Sequence, residues 1–325
     1  MDVTTSETEA SPGRGGQRPQ MGAPGSDEST TRGPRGDRRE AARPWLLVAP
    51  ALVVISVLFG GAIVLATQQS LGYVPLAGQT ELTFDAYRQL FARSEFWPSL
   101  WLTLYIGVVS TGIAIFFGVG FALLLRRVSR RFRFLTFLFQ LNLPVPHVVS
   151  ATAILLLLSQ SGTASRIASQ VALIDSPSDF PLLVFDPWAF GIIASFSWKE
   201  VPFITVIALA QLQSTVTNYE DVATMLGAGA WQRLRHVTLP IVLPGVLVAS
   251  VLVFAFTFGS YEVPLLLGQS FPATLPVLAV QLHNDVNLSV RPQGMAISVV
   301  VTLITVILVA AYMKLARSTI RQEGR

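Results

Sequence analysis

Tyr219-Glu220-Asp221-Val222-Ala223-Thr224-Met225-Leu226-Gly227-Ala228-Gly229-Ala230-Trp231-Gln232-Arg233-Leu234-Arg235-His236-Val237-Thr238-Leu239-Pro240 is a polar stretch between two long apolar runs. The pattern predicts a short helix opening on Glu220 and Asp221, where carboxylates suit the positive end of the helix dipole. Gly227 or Gly229 can end that helix in a left-handed cap. A second short, basic helix then runs from Trp231 and stops before Pro240, since the residue ahead of a proline is biased away from helix. Two short helices joined by a glycine turn make a rigid knob. The plainer alternative is a connector that only joins its flanks.

Those flanks set the context. Hydrophobic residues make up 51% of the 325-residue chain and charged residues 13%, about half the charged share of an ordinary soluble domain. A membrane span needs roughly 20 apolar residues. Six stretches meet or approach that length: 44–67, 98–125, 134–158, 188–212, 241–267 and 294–313. Residues 1–42 are rich in Gly, Pro, Ser, Thr and Arg and hold almost no large apolar residue, so a disordered tail is expected there. This tail is too long, and the apolar run after it too long, for a secretory signal.

Charge supplies an independent check on the span map. Sixteen Arg and Lys fall closely before span one (Arg32, Arg35, Arg38, Arg39 and Arg43), between spans two and three, between spans four and five, and after span six; the alternate loops hold only Arg88, Arg93, Arg166 and Arg291. Basic residues favour the cytoplasmic side, which puts both termini there and requires an even number of spans. This topology also accounts for the pI of 9.8 without nucleic acid. The expected organisation is a cytoplasmic tail over 1–42, a first helix and external loop over 43–97, a transmembrane core over 98–318 containing the loop 213–240, and a short cytoplasmic tail over 319–325. The fold class is all-α, with six transmembrane helices.

Lys199 and Glu200 interrupt the fourth span, roughly 20 Å from its cytoplasmic end at 1.5 Å per residue. A charge at such depth costs about 2.5–3.5 kcal/mol unless it meets protein or water. Being adjacent on a helix, the two point about 100° apart and do not pair with each other. Pro202 frees the carbonyl of Trp198 from its helical bond, and irregular backbone at depth is tolerated where it lines a cavity. One reading makes Trp198, Lys199 and Glu200 part of a translocation path; the other makes the charges interhelical partners or places them at the outer interface. Tyr261-Glu262-Val263-Pro264 repeats the Glu-Val-Pro order near the outer end of span five, adding Tyr261 and Glu262 as path candidates. Pro144 and Pro146, beside His147, are expected to kink span three without contacting a ligand.

The opening stretch resembles the EAA motif of binding-protein-dependent ABC importer permeases: Glu-Ala-Ala, three residues, Gly, then about nine residues to Ile-x-Leu-Pro. With Gly227 aligned, Asp221 takes the Glu position, Val222 and Ala223 the two Ala positions, and Val237-Thr238-Leu239-Pro240 the ending. Asp221 and Val222 depart from the pattern, and Glu220 stands one residue early, which leaves open which carboxylate contacts a partner. The resemblance covers roughly residues 95–315. It implies a MetI-like permease fold in a bacterial cytoplasmic membrane, with Glu220, Asp221, Ala223, Gly227, Ala228, Leu239 and Pro240 forming the surface coupled to an ATPase. The implied partners are a dimer of ABC ATPase subunits, a second permease subunit, an extracytoplasmic substrate-binding protein and the lipid bilayer. Leu226-Gly227-Ala228, the stretch from Trp198 to Phe203 and the stretch from Phe258 to Pro264 look more like the spermidine/putrescine-type permeases, so a polyamine substrate is expected, with sugar, thiamine, iron or phosphonate as alternatives.

The remaining chemistry is sparse. The chain has two Lys, Lys199 and Lys314, and neither follows the Gly-rich turn that cradles phosphates. ATP and Mg are therefore expected on a partner chain, with no cofactor and no metal on this one. There is no Cys, and His147, His236 and His283 are widely separated. An ion-coupled secondary transporter is the alternative from another class, but its inverted repeats are not evident. A membrane enzyme would need a catalytic cluster that is not evident either.

Overall fold

In lipid the backbone must satisfy its own polar groups, so long apolar runs become helices. A computed structural model of the chain describes the backbone of residues 35–75, 78, 80–126, 134, 137, 140–213 and 217–323. The helices are α1 (Arg35–Ser70), α2 (Asp85–Ala92), α3 (Phe96–Leu125), α4 (His147–Leu158), α5 (Thr163–Gln170), α6 (Phe190–Gln211), α7 (Thr217–Met225), α8 (Ala230–Arg233), α9 (Leu239–Gly259), α10 (Glu262–Leu267), α11 (Leu275–His283) and α12 (Arg291–Glu323). Six helical stretches are long and apolar enough to cross a membrane, and no strand occurs among the described residues.

Several expected boundaries move. α1 begins at Arg35, inside the stretch expected to be disordered, while residues 1–34 lie outside the described residues. Extending a span helix avoids the cost of a new nucleus, and Glu40, Ala41 and Ala42 are good helix formers. For the same reason α12 runs on to Glu323. The fifth run is not one helix. α9 stops at Gly259, Ser260 is extended, and α10 starts at Glu262, so Pro264 falls in a first turn where it costs no helical bond.

The chain divides into two compact units, residues 1–58 and 59–325. The second is organised around α6, the most buried of its spans. α3 lies along α6, and its buried side carries many small residues, Ser99, Thr103, Gly107, Thr111, Ala114, Gly118 and Ala122, of which Gly118 meets α6, Gly107 meets Phe254 of α9 and Thr103 accepts from the Leu275 N–H of α11. A Cβ on Gly118 would stand 2.7 Å from Ile204 Cγ2, the close backbone approach by which small residues hold membrane helices together. Ala114, Val119 and Ala122 form one apolar cluster with Ile204 and Ala208 of α6 and Val242, Val246 and Ala249 of α9. A second cluster joins Ile106, Ala151, Ile192, Phe196, Val263 and Leu267. A third joins Leu90, Phe96, Leu275, Leu278 and Ile297.

Polar contacts sort the helix ends into two sets, as the alternating topology requires. At one end Arg126, just past α3, meets Glu220 of α7. At the other, Arg93 donates to Gln293 of α12 at 2.6 Å, and the Gln293 amide donates to Gln89 of α2 at 2.7 Å. α6 is capped at this second end by buried Asp186, which accepts from the backbone N–H groups of Trp188 and Phe190. Phe185 and Ala189 both adopt left-handed backbone to bring that carboxylate into place.

Candidate functional site

The loop closes its first helix on Gly227. With φ at +83°, Gly227 donates its N–H to the Thr224 carbonyl, and Ala228 donates to the Ala223 carbonyl, the paired bonds of a Schellman cap. Of the two glycines, then, Gly227 makes the turn. Gly229 has extended backbone and begins α8, its N–H held by the Gln232 side chain at 2.9 Å.

The second helix does not stop before Pro240. α8 passes through a π turn over Leu234–Thr238 directly into α9, giving one helical run over Ala230–Gly259 with Pro240 in the first turn of α9. A proline ring inside a helix collides with the carbonyl four residues back, here that of His236. The wider π turn lies at that carbonyl and makes room for the ring. The loop's second half is therefore a stiff extension of span five.

The two carboxylates part company. Glu220 turns inward: its Oε1 accepts from Arg126 Nη1 at 2.8 Å and from the hydroxyl of buried Thr238. Burial disfavours the carboxylate charge, but the hydrogen bonds from Thr238 and Arg126 and the charges of Arg126 and Arg233 outweigh it and hold Glu220 below its usual value. Asp221 is exposed. Ala223 and Ala228 are half-buried beneath the cap, Leu239 is half-buried, and Pro240 is exposed. Around them Tyr219, Val222, Met225, Leu226 and Trp231 are all exposed, Met225 at 87% and Leu226 at 82%. An apolar patch of this kind on an element outside the spans is the ordinary mark of a protein-binding surface.

Within the spans, Lys199 is buried, and its ammonium donates to the carbonyls of Asn142 at 2.6 Å, Leu143 at 3.3 Å and Val145 at 2.6 Å. Pro144 and Pro146 break span three, so that helix ends at Leu141 and resumes as α4 at His147, and of the three carbonyls only that of Asn142 also accepts a backbone N–H, from Val145 at 3.3 Å. The break is thus more than the ligand-free kink expected there. The three donors of the ammonium match three carbonyls at a helix break, where backbone donors are scarce. Asn142 completes the arrangement in reverse, its side-chain amide donating to the Trp198 carbonyl that Pro202 releases. Glu200, also buried, holds His147 Nε2 at 3.4 Å, and the His147 ring lies 4.4 Å from that of Phe256 on α9. As expected, Lys199 and Glu200 take separate partners.

The five path candidates are not gathered at one place. Trp198 is exposed and lines an apolar cavity of about 450 Å³ with Phe117, Phe121 and Pro202. Tyr261 lines another of about 460 Å³ with Gly259, Ser298 and Thr302. Glu262 is exposed at the start of α10. Three functional-looking residues escaped the sequence reading. Arg126 counted only toward topology, Thr238 was part of an aligned motif ending, and Asn142 was one amide in an apolar run. The pattern Asn-x-Pro-x-Pro was the available signal for Asn142.

Residues 112–321 match the family described as binding-protein-dependent transport system inner membrane component. The chain belongs to this family. It is 25% identical to the trehalose/maltose transport system permease protein MalF of Thermococcus litoralis, over 86% of this chain and 95% of the relative. It is 27% identical to the putative 2-aminoethylphosphonate transport system permease protein PhnV of Salmonella typhimurium, over 68% and 75%. The fold matches a bacterial ABC transporter involved in import of the acidic polysaccharide alginate, with a TM-score of 0.72 at 19% identity over 87% of this chain and 99% of that one. The protein is therefore a multi-pass inner-membrane ABC permease with a MetI-like fold.

Proposed function

We propose that this permease forms the translocation path of an ATP-driven importer and is moved by a separate ATPase that docks on the loop 213–240. The observation carrying this reading is the continuous helix Ala230–Gly259, whose first turn bears exposed Trp231 and directly follows the α7 cap that bears exposed Val222, Met225 and Leu226 beside Asp221. A partner that shifts this patch shifts span five as a rigid rod, biasing an inward- and outward-open equilibrium by its own two states. The docking residues are Asp221, Ala223, Gly227, Ala228, Leu239 and Pro240, with Glu220 behind them. A second permease subunit and an extracytoplasmic binding protein complete the assembly, and ATP and Mg are used on the ATPase.

The substrate reading shifts from polyamines to a sugar-derived solute. The relatives at 24–27% identity carry trehalose/maltose, sulfoquinovosyl glycerol and 2-aminoethylphosphonate in their names. An intramembrane carboxylate could attract a cationic polyamine, but Glu200 faces His147 rather than open space. A phosphonate is the second reading, favoured by the relative at 27% identity. Purification of the chain with its genetic neighbours tests the role: uptake into vesicles should require an ATPase subunit, and uptake without one refutes the proposal. A ligand screen on the cognate binding protein tests the substrate, with binding of spermidine but no sugar restoring the polyamine reading.

A further inference from the structure

Glu220 and Asp221 are neighbours in sequence but differ in setting: Glu220 is half-buried against Arg126, and Asp221 is exposed. The Oε1 atom of Glu220 joins three elements: its own helix α7, Arg126 at the end of α3, and Thr238 in the π turn that leads into α9. Thr238 is fully buried, and the ion pair is mostly covered, with side-chain exposures of 19% for Arg126 and 22% for Glu220. A second contact reinforces the same corner. Arg233 donates to the Thr224 hydroxyl, which in turn donates to the Glu220 backbone carbonyl at 2.7 Å.

α8 and the π turn already make the loop continuous with span five. Nothing in the chain path makes α7 continuous with span two, since Arg126 and Glu220 are 94 positions apart. We infer that Glu220 is a positioning residue of the transport cycle, a strap that makes span two follow the coupling helix together with span five, while Asp221 is the carboxylate left for the partner. This rests on the docking role proposed for the loop. A charge-assisted hydrogen bond to a mostly covered carboxylate is among the stronger single contacts available for such a strap. Without it, displacement of α7 would still reach α9 but would pass to α3 only through the apolar packing of α9 against it, with no direct link from the coupling helix to the span that lies along α6.

The test uses the intact importer, with its ATPase, in proteoliposomes supplied with the binding protein and its solute. Glu220→Gln keeps the shape and the acceptor for Thr238 but removes the charge. The ATPase is expected to co-purify at the wild-type ratio, and solute moved per ATP should fall by roughly fivefold or more, the lower end of ordinary coupling factors. Thr238→Val, which removes one donor, should lower the same ratio to a smaller extent. The exchange Arg126→Glu with Glu220→Arg should recover a measurable part of the loss, which a purely structural defect in either residue would not allow. Loss of the ATPase from Glu220→Gln would overturn the inference by making Glu220 a partner contact. Unchanged solute per ATP in both Glu220→Gln and Thr238→Val would overturn it as well. Wild-type protein that transports with no ATPase attached would instead refute the docking role on which the inference rests.

Discussion

The ammonium of Lys199 lies 2.6 Å from the backbone carbonyl of Asn142, while the Asn142 side chain donates to the carbonyl of Trp198, the residue before Lys199. Each of these two residues thus fills a gap in the other's helix. Prolines open both gaps: Pro144 and Pro146 on one side, Pro202 on the other. In lipid an unfilled carbonyl has no water to turn to, so the exchange turns two helix defects into one interhelical joint.

That joint predicts how Lys199→Met should behave. The variant leaves the Leu143 and Val145 carbonyls without a donor and the Asn142 carbonyl with only the Val145 N–H, and each unsatisfied group costs about 1–3 kcal/mol. The net loss should be about 3 kcal/mol after relaxation, or roughly 6–12 °C in the thermal midpoint of the detergent-solubilised protein. Asn142→Leu should cost less, and the double variant should lose less than the two singles combined because they share one joint. If Lys199 instead serves only the substrate path, Lys199→Met should lower uptake at an unchanged midpoint.

How far such a joint could be foreseen depends on the residue. Lys199 and Pro202 stood out because a charge and a proline inside an apolar run each demand compensation. The compensating Asn142 did not, since a lone amide in a span carries no sign of what it faces. The loop shows the same division. Gly227 was legible as one of two possible caps because left-handed backbone favours glycine, whereas the passage of helix through Pro240 was not. That passage depends on a π turn, which no hydrophobic periodicity announces. The inward turn of Glu220 depends on Arg126, 94 positions away, and a reading along the chain sees only that the arginine is basic and near a membrane face.

The seam between α3 and α6 gives a prediction independent of any transport assay. A side chain at Gly118 would collide with Ile204 Cγ2 at 2.7 Å and Cβ at 2.8 Å, whereas nothing lies within 4 Å of a Cβ placed on Gly112. Gly118→Leu should therefore destabilise the bundle by at least the roughly 1–3 kcal/mol of an overpacked core and reduce the yield of monodisperse protein. Gly112→Leu, on the same helix and equally apolar, should leave both yield and midpoint near the wild type. Size-exclusion profiles of the two variants provide the comparison, and equal behaviour would argue against this seam.

At the opposite end, His283 makes the fold sensitive to acid. Burial first, and the Arg291 charge second, push His283 below its usual value near 6.5, and Arg291 Nη2 donates to His283 Nε2 at 2.8 Å. The neutral ring is the form that accepts this bond. As pH falls through 6.5 the unfolded chain takes up the proton first, so the contribution of His283 to stability is present above that value. It is lost as pH falls further toward the depressed folded value. The protection factor of α11 amides, the intrinsic exchange rate at each pH divided by the observed one, should fall between pH 7.5 and 5.5 in the wild type, and His283→Gln should flatten that dependence. An identical slope in the variant would assign the effect to another group.

Gly227 offers the sharpest separation of folding from coupling. Its φ of +83° disfavours any L residue, yet nothing lies within 4 Å of a Cβ placed there. The cost of substitution is therefore conformational rather than steric, about 1–2 kcal/mol for a β-carbon in left-handed backbone, and it falls on the turn that aims Met225 and Leu226. The turn is outside the spans and its outer face is open, so insertion and the midpoint of the bundle should be retained in Gly227→Val. The two halves of the knob should lose their fixed angle, and solute uptake should fall although the protein is present in the membrane at wild-type amounts. Gly227→Asn separates geometry from side-chain chemistry, because asparagine tolerates left-handed backbone far better than valine. It should retain most of the uptake. Similar loss in both variants would mean that the partner requires the absence of a side chain at this position, and retained uptake in both would mean that the angle between α7 and α8 is not what the ATPase acts upon.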